Sequence, residues 1–207
     1  MRHDLTLAGP AFRLRPITDA DAPLVLELRS DTKRNRYLHP IPPHLDDQLA
    51  WFARYYERPG DYYFVVERQD SGAAEGVISL YDVDLKAGCG EWGRWILRPG
   101  SLAAVESAWL VYRCAFEQLG LKRVFCHTVA DNVSVVSFHD SCGITAKRLL
   151  PGHFDLGGKP ADAVEHEVTR EAWSAINLRL QKLAELAARK LRRGCAASGH
   201  DRISGGL

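Results

Sequence analysis

The spacing of apolar and polar residues in the first half of the chain predicts one strand, two helices and then three further strands. Residues 12–17 alternate as a strand does, and the apolar positions within 19–29 recur at helical spacing. A proline-rich loop at 35–43 separates this helix from a second one at 45–58. Three β-rich runs divided by turn-forming residues follow at 62–67, 76–81 and 91–97. Short turns between successive strands predict an antiparallel meander.

Beyond residue 100, helical and strand patterns alternate. A long helical segment over 102–119 ends at Gly120, a strand follows at 123–129, and a short helix over 133–142 ends at Gly143. Two weaker strands and a closing helix complete the order, at 146–154, 164–169 and 171–193. This order predicts an α/β domain whose mixed sheet has six to seven strands flanked by helices.

The length of 207 residues suits one domain with an appendage, and the composition is that of an ordinary globular protein. We expect the domain to span residues 1–173, a basic amphipathic helix to occupy 174–198, and a flexible tail to follow at 199–207. The sequence has no apolar run of membrane-spanning length and no signal-peptide pattern, which predicts a cytoplasmic protein.

The net charge of +1 is unevenly distributed, because residues 174–207 hold seven basic and two acidic side chains. The rest of the chain is therefore slightly acidic, and we expect no nucleic-acid partner for it. The basic helix could lie on an anionic membrane surface, hold a nucleotide diphosphate, or pack on a second subunit in a homodimer. Docking on its own domain is the simpler expectation.

The cysteines and histidines show no spacing typical of a metal or redox site. No two cysteines form a C-x-x-C pair, and nothing ties His153 or His166 in the last two strands to a metal. The expectation is reduced, buried thiols and no metal, for all five cysteines: Cys89, Cys114, Cys126, Cys142 and Cys195. The tryptophans at strand or helix spacing are expected in the core: Trp51, Trp92, Trp95 and Trp109.

The segment of greatest chemical interest joins the strand at 91–97 to the helix that follows it. The connection reads Arg98-Pro-Gly-Ser-Leu-Ala103, and its small residues, Gly100, Ser101 and Ala103, permit close approach to the backbone. The first turn of a helix presents unpaired amides and a partial positive charge, so this loop suits a pyrophosphate. A simple turn with an N-cap would have a similar sequence.

The loop and a second motif together resemble the GNAT superfamily of acetyl-CoA-dependent N-acetyltransferases. Arg98, Ser101 and Ala103 match the pyrophosphate-binding pattern Arg/Gln-x-x-Gly-x-Gly/Ala, with Ser101 in place of the first glycine. The second motif is Asn, then Tyr or His after seven positions, then Gly-Phe, and the matching residues are Asn132, His139, Gly143 and Ile144. The resemblance covers roughly residues 12–173 and implies a splayed sheet that holds acetyl-CoA between its fourth and fifth strands.

Finer features are similar to the ribosomal-protein and amino-sugar-nucleotide acetyltransferase branch. They are Arg34 to Arg36 before the proline-rich loop, Trp51-Phe52, Tyr81 to Asp84, Glu91-Trp-Gly93, and the late Gly158-Lys159, Asp162 and Trp173. One position departs from the sugar-nucleotide type, which has histidine where this chain has Gln48.

The resemblance implies roles for several residues. Glu91, near the point where two strands splay, is the expected general base. Asp82 and Asp84 are competitors, but their place beside a hairpin turn favours a solvated or turn-capping role. His139 is the expected proton donor to the departing thiolate or a cofactor contact. The expected acetyl-CoA contacts are Trp95, Ile96, Leu97, Arg98, Gly100, Ser101, Leu102, Ala103, Asn132 and His139. Of these, an amide of the strand at 95–97 would stabilise the oxyanion, and Asn132 would contact the pantetheine arm.

The acceptor implied by the branch is a primary amine, first a 4-amino sugar nucleotide and second a protein N-terminus or other small amine. Arg36, with Lys33 and Arg34, could contact a diphosphate, and Tyr81 and Asp82 are further candidates for substrate binding.

A rival hypothesis is a non-catalytic acyl-CoA-binding or regulatory module on the same fold, which the Ser101 departure favours. A purely structural dimer built through the last helix is a third hypothesis.

Overall fold

A computed structural model describes residues 2–31, 36–38 and 41–200, with side chains described as far as Arg193. The eight strands are β1 (Leu7–Ala8), β2 (Phe12–Pro16), β3 (Tyr62–Arg68), β4 (Ala74–Asp84), β5 (Cys89–Leu97), β6 (Arg123–Val129), β7 (Lys147–Asp155) and β8 (Pro160–Thr169). The α-helices are α1 (Ala22–Ser30), α2 (Leu45–Tyr56), α3 (Ala104–Arg113), α4 (Val133–Ser141) and α5 (Arg170–His200). None of the described helices has the length and hydropathy of a membrane-spanning segment.

The strands form one mixed sheet in the order β1-β2-β3-β4-β5-β6-β8-β7. The predicted antiparallel meander is confirmed by β3, β4 and β5. The eighth strand, beyond the six to seven expected, is the two-residue β1, which pairs with β2. Such a short edge strand lacks an alternation long enough to read from a sequence.

The parallel pair β5–β6 is the feature that creates a cleft. Its described register comprises three partners, Cys89 with Arg123, Gly90 with Val124, and Glu91 with Phe125. Beyond Glu91 both strands continue but no longer pair, so the sheet splays open between them. Backbone groups on the facing edges of the two strands are thereby released from the ladder.

Apolar side chains pack on both faces of the central strands. In β3, Phe64 and Val66 join the core beneath α3 and α5, whereas Tyr63 and Val65 join the core beneath α1 and α2. A strand covered on both faces reads as a continuous apolar run, as this one does. The two-sided core fixes the sheet on which the cleft is built.

The C-terminal helix docks on the domain, as expected. Trp109 of α3 donates from Nε1 to Oδ1 of Asn177 at 2.7 Å, and Leu180, Ala184 and Ala188 of α5 are fully buried. The helix is longer than the predicted 171–193 and includes residues 199 and 200, so the expected start of the tail at 199 is wrong; residues 201–207 lie outside the described part of the chain. Ala184 and Ala188 allow the close approach of α5 to α3 that holds it in place.

The predicted helix over 102–119 is shorter and less regular than expected. It begins at Ala104, and after Arg113 it continues as a π-helical turn over Cys114–Gln118. Cys114, Cys126 and Cys142 are free and buried, while Cys89 is half-buried, in agreement with the expected thiols; the side chain of Cys195 lies outside the described residues.

Candidate active site

The splay between β5 and β6 opens into a cleft of about 460 Å³. Its walls are the end of β5 at Trp95, Ile96 and Leu97, the start of α3 at Ala104, the start of α4 at Asn132, and the segment that holds Arg36. The expected cofactor strand and both motif helices therefore line one cavity. A thiol ester with a long phosphorylated arm can enter a cleft bounded in this way.

The loop before α3 has the geometry of an anion cradle. The amide of Ser101 donates to the carbonyl of Arg98 at 3.1 Å, and Gly100 adopts a φ of +77° with open space where a Cβ would lie. The N-cap residue of α3 is Ala103, whose side chain makes no capping hydrogen bond to the helix amides. The first amides of this helix, together with its positive dipole end, are thus suited to bind phosphate.

Ser101, the departure from the family pattern, uses its hydroxyl within the loop. Its Oγ accepts from the amide of Ala103 at 3.2 Å. The serine hydroxyl therefore uses the Ala103 amide, which a glycine at residue 101 would leave free to bind a phosphate. The loop still leads directly into α3. Leu102 is half-buried beside it. The remaining cradle fits a pyrophosphate.

Arg98 fixes the loop to its surroundings. Its Nε donates to the carbonyl of Ala74 in β4 at 2.9 Å, and its guanidinium forms an ion pair with Glu27 of α1. These contacts hold the end of β5 and the loop against two neighbouring elements. The contribution of Arg98 to the cradle is therefore its positioning.

A β-bulge lies where β5 enters the cleft. Val77 of β4 pairs with Ile96, while Ser79 pairs with Gly93, so β5 has one more residue than β4 between these pairs. Arg94 inside the bulge has a φ of +48°, in the left-handed region. A bulge increases the local twist and turns the strand edge away from its ladder. The backbone at 95–97 faces the cleft for this reason.

Two segments meet on the opposite side of the cleft. Tyr37 donates its hydroxyl to the carbonyl of Asp131 at 2.9 Å, and the guanidinium of Arg36 lies 4.7 Å from the centre of the Tyr37 ring. Asn132 is the N-cap residue of α4, as expected, but its side chain makes no capping bond. The carboxamide of Asn132 is therefore not used to cap α4.

Glu91 lies at the last pair of the parallel ladder and belongs to a hydrogen-bonded network. Tyr81 of β4 donates its hydroxyl to Oε1 of Glu91 at 2.8 Å, and Nδ1 of His127 in β6 lies 3.0 Å from the same oxygen. Burial and the adjoining carboxylate raise the pKa of Tyr81, so that its hydroxyl remains a donor. Both contacts use Oε1, and the side chain is 17% exposed.

His127 links Glu91 to a second carboxylate. Its Nε2 lies 2.9 Å from Oε2 of Glu165 in β8, directly across the β6–β8 ladder. Arg123 and Arg148 also donate to Glu165. The hydrogen bond with Glu91 contributes most to raising the pKa of His127, against the effect of burial. An imidazolium between two carboxylates results.

A buried ion pair continues the network toward α2. Arg94 donates to both oxygens of Asp61 at 2.6 and 3.0 Å, and its guanidinium lies 4.5 Å from the centre of the Tyr81 ring. Trp51 and Tyr63 flank it at 5.5 and 5.8 Å. A cation held by a carboxylate between aromatic rings forms a rigid wall beside Glu91.

The two aspartates considered beside Glu91 differ from it. Asp84 accepts from the amides of Lys86 and Ala87, which is the turn-capping role allowed for it. Asp82 is exposed, has a φ of +50°, and follows Tyr81 in a β-bulge. Neither carboxylate contacts the network around Glu91 among the described hydrogen bonds.

His139 occupies a setting different from the one expected of a proton donor. Its side chain is 1% exposed, and its ring packs against Trp92 and His166. Burial, followed by the neighbouring His166, lowers the pKa of His139 to about 3. A neutral imidazole inside the core does not carry an imidazolium proton near neutral pH. The helix α4 is rolled so that residue 139 faces the sheet.

Other candidates divide between core and surface. Trp92 and Trp109 are buried, as expected, whereas Trp51 and Trp95 are half-buried and face the site and the cleft. His166 is fully buried, and the exposed His153 lies with its ring centre 4.3 Å from that of His127, the two rings being tilted by 38°. Lys33 and Arg34 lie outside the described residues.

Residues 12–145 match the family described as "Acetyltransferase (GNAT) domain". The chain belongs to the GNAT acetyltransferase family. No curated protein sequence matches it. The match covers the cleft, the loop before α3 and the start of α4 of this GNAT acetyltransferase.

Solved structures resemble the GNAT chain over most of its length. A GCN5-related N-acetyltransferase from Brucella melitensis is 20% identical, with a TM-score of 0.75 over 87% of this chain and 86% of that one. Apo FdhC, a nucleotide-linked sugar GNAT, is 24% identical, with a TM-score of 0.72 over 88% and 99%. Spermidine N-acetyltransferase from Vibrio cholerae, in complex with CoA and spermine, is 17% identical, with a TM-score of 0.70 over 79% and 98%. At these identities the likeness concerns the fold.

Several residues of the site escape a reading of the sequence. His127, Glu165, Arg94 and Asp61 come from separate strands or strand ends, and no short motif joins them. The available signal is the period of two in β6, which places the polar residues Arg123 and His127 on the face of the sheet that carries Glu91. Assignment of their partners required the register of β6 with β5 and β8.

Proposed function

We propose that this acetyltransferase transfers the acetyl group of acetyl-CoA to a primary amine, in the first place that of a 4-amino sugar nucleotide. The observation that carries the proposal is the β5–β6 splay, which brings an uncapped helix start and the Glu91 network to the same opening of the sheet. Acetyl-CoA supplies an activated thioester.

The cofactor side uses backbone amides. The first turn of α3 and the loop at Gly100 bind the pyrophosphate, and Asn132 contacts the pantetheine arm from the other wall. An amide of the bulged strand end at 95–97 donates to the thioester carbonyl oxygen as that oxygen gains negative charge. These donors are fixed in the fold before the substrate enters, which lowers the reorganisation required.

The acceptor side uses Glu91. A primary amine is an ammonium ion near neutral pH and must lose a proton before its nitrogen can attack the carbonyl carbon. Glu91 accepts this proton, directly or through water. The accepting atom is Oε2, because Tyr81 and His127 both contact Oε1. His127 and Tyr81 are positioning residues that hold the carboxylate toward the splay.

His139 has no proton-transfer role in this proposal: the thioester carbon–sulfur bond breaks as the amide forms, and the CoA thiolate takes its proton from solvent. Its burial and its lowered pKa leave it neutral among Trp92, Phe138 and His166. The imidazole instead supports the packing of α4, whose first residues line the cofactor cleft. This assignment replaces the role that the motif position suggested.

The charges around the acceptor side favour a neutral or anionic acceptor body over a polyamine. Asp61 is neutralised by Arg94, and Glu165 by Arg123, Arg148 and His127. Arg36 adds a further cation on the cleft wall. A polyamine would require a surplus of carboxylates, whereas a diphosphate would gain from Arg36.

The test is an acceptor panel in which CoA release is measured with a thiol reagent. The panel contains 4-amino sugar nucleotides, spermidine, and peptides with free N-termini. We expect turnover with the sugar nucleotides, and an Arg36→Glu variant should raise their KM at least tenfold while changing the KM for acetyl-CoA much less. The matched control is Arg54→Glu, a charge reversal of an exposed arginine on α2.

Other outcomes separate the alternatives. Preferential turnover of peptide N-termini would establish the second acceptor class and reject the sugar-nucleotide proposal. Tight acetyl-CoA binding without turnover of any amine would favour the non-catalytic acyl-CoA-binding module. An equal rise of both KM values in Arg36→Glu would assign that arginine to the cofactor instead of the acceptor.

A further inference from the structure

Three metal-ligating side chains meet inside the core, away from the acceptor network. Cys126 of β6, His139 of α4 and His166 of β8 each offer one ligand atom, and these atoms lie within 4.8 Å of one another. The Sγ of Cys126 is 3.5 Å from Nε2 of His139, and the two imidazole rings stack with their centres 4.5 Å apart. All three side chains are at most 4% exposed.

The polar atoms of this cluster are poorly satisfied by the described residues. Nδ1 of His139 and both ring nitrogens of His166 are buried without a hydrogen-bond partner there. Buried nitrogen atoms normally have such partners, and three orphaned atoms on two touching rings call for an explanation. A ligand shared by the cluster would bind one nitrogen of each ring and so give a partner to one of the orphaned nitrogens of His166.

We propose that Cys126, His139 and His166 form a zinc site. One thiolate sulfur and two imidazole nitrogens are a donor set that Zn²⁺ prefers, whereas Mg²⁺ and Ca²⁺ require oxygen ligands. In a tetrahedral zinc site, bonds of about 2.3 Å to sulfur and 2.0 Å to nitrogen place these two atoms about 3.5 Å apart. The observed separation of Cys126 Sγ and His139 Nε2 meets this requirement.

Binding of the metal would change the protonation of one ligand, since zinc binds cysteine as the thiolate and histidine as the neutral imidazole. Binding of Zn²⁺ to sulfur releases the thiol proton to solvent, and no electron is transferred.

Asp140 lies beside His166 in the position of the carboxylate that commonly accepts a hydrogen bond from a metal-bound histidine. Oδ1 of Asp140 lies 3.6 Å from Nε2 of His166, which would leave Nδ1 of His166 to bind the metal. Lys147 holds the same carboxylate at 2.7 and 2.8 Å. Since the ligands come from β6, α4 and β8, the metal would fasten α4, whose start lines the cofactor cleft, to the sheet.

Refolding the full chain with Co²⁺ tests the site, because three buried ligands are accessible only before folding is complete. Under reducing, chelator-free conditions we expect one bound cobalt per chain, a thiolate-to-cobalt charge-transfer band, and the visible bands of tetrahedral cobalt. The zinc form should show one sulfur at about 2.3 Å in X-ray absorption.

Cys126→Ala should abolish the charge-transfer band and weaken cobalt binding at least about tenfold. Cys114→Ala, the control at another buried thiol, should leave the band and the affinity unchanged.

The wild-type protein alone can overturn the proposal. Normal folding without the charge-transfer band, together with the absence of zinc by elemental analysis after refolding with Zn²⁺, would show that the cluster is simple core packing. Retention of the band in a folded Cys126→Ala variant would place the metal elsewhere and also reject the site. These readouts do not depend on acetyl transfer, so failure of the proposed function would leave them interpretable.

Discussion

The imidazole of His127 lies 3.0 Å from Oε1 of Glu91, where the parallel strands β5 and β6 form their last pair. This contact joins the proposed base to a group that also reaches Glu165. The position of Glu91 at the splay is therefore maintained by a charged bridge across three strands. Both the chemistry and the stability of the site depend on that bridge.

Replacement of Glu91 by glutamine should remove the proton acceptor while preserving the shape of the side chain. We expect Glu91→Gln to lower kcat roughly 100-fold, within the range of general base catalysis, with little change in the KM for acetyl-CoA. Steady-state kinetics with the best amine of the panel provide the measurement. Glu57→Gln, on an exposed residue next to α2, is the control. Undiminished kcat in Glu91→Gln would reject the base assignment.

His127 should make the stability of the fold depend on pH. Its hydrogen bond with Glu91 raises its pKa above 6.5 in the folded state, so the stabilisation it provides is complete below that value and is lost as pH rises through the folded pKa. His127→Gln should therefore cost about 2 kcal/mol at pH 6, as expected for hydrogen bonds to charged groups, and less at pH 9.

Urea unfolding followed by tryptophan fluorescence measures this difference. Burial opposes the ionisation of Glu165, but bonds from Arg148 and His127 outweigh it and lower its pKa, so Glu165 stays ionised throughout the range from pH 6 to 9. The change with pH can then be assigned to the imidazole. A stability difference between wild type and His127→Gln that stays constant across this range would contradict the charged bridge.

Ser101 provides a direct test of the phosphate cradle. A carboxylate at this position would face the pyrophosphate at the start of α3, so Ser101→Glu should weaken acetyl-CoA binding at least tenfold in isothermal titration. Ser101→Gly, which frees the amide of Ala103, should bind at least as well as wild type. Ser174→Glu on the exposed side of α5 is the control. Equal affinities for wild type and Ser101→Glu would place the phosphates elsewhere.

Much of the frame can be predicted from sequence because its signals are local. The apolar run of β3, the turn at Asp84 and the small-residue loop before α3 each act through neighbours along the chain. The motif spacing correctly placed residues 95–97 and Asn132 on one cleft. Local residue patterns and the order of the motifs along the chain were sufficient to predict these features.

The charged network and the setting of His139 depend on information that is not local. Glu165 meets His127 only in one register of β6 and β8, and a slip by one residue would turn it to the other face. Likewise, α4 mixes apolar and polar residues without a clear apolar face, so it can present residue 139 to the cleft or to the sheet, and Trp92 and His166 decide which. Packing determines both outcomes.

The ion pair between Arg94 and Asp61 should contribute strongly to stability, because Asp61 is 3% exposed and both of its oxygens bind the guanidinium. Removing one member of a buried pair leaves the other charge uncompensated, so Asp61→Asn should lower the free energy of unfolding by about 3 kcal/mol. Asp70→Asn, at the exposed pair with Arg68, should change it little. The double variant Asp61→Asn/Arg94→Gln removes both charges and should be less destabilised than the sum of the single variants. Additive losses in urea unfolding would show instead that the two side chains stabilise the site independently, and that the bulge at Arg94 does not rely on Asp61.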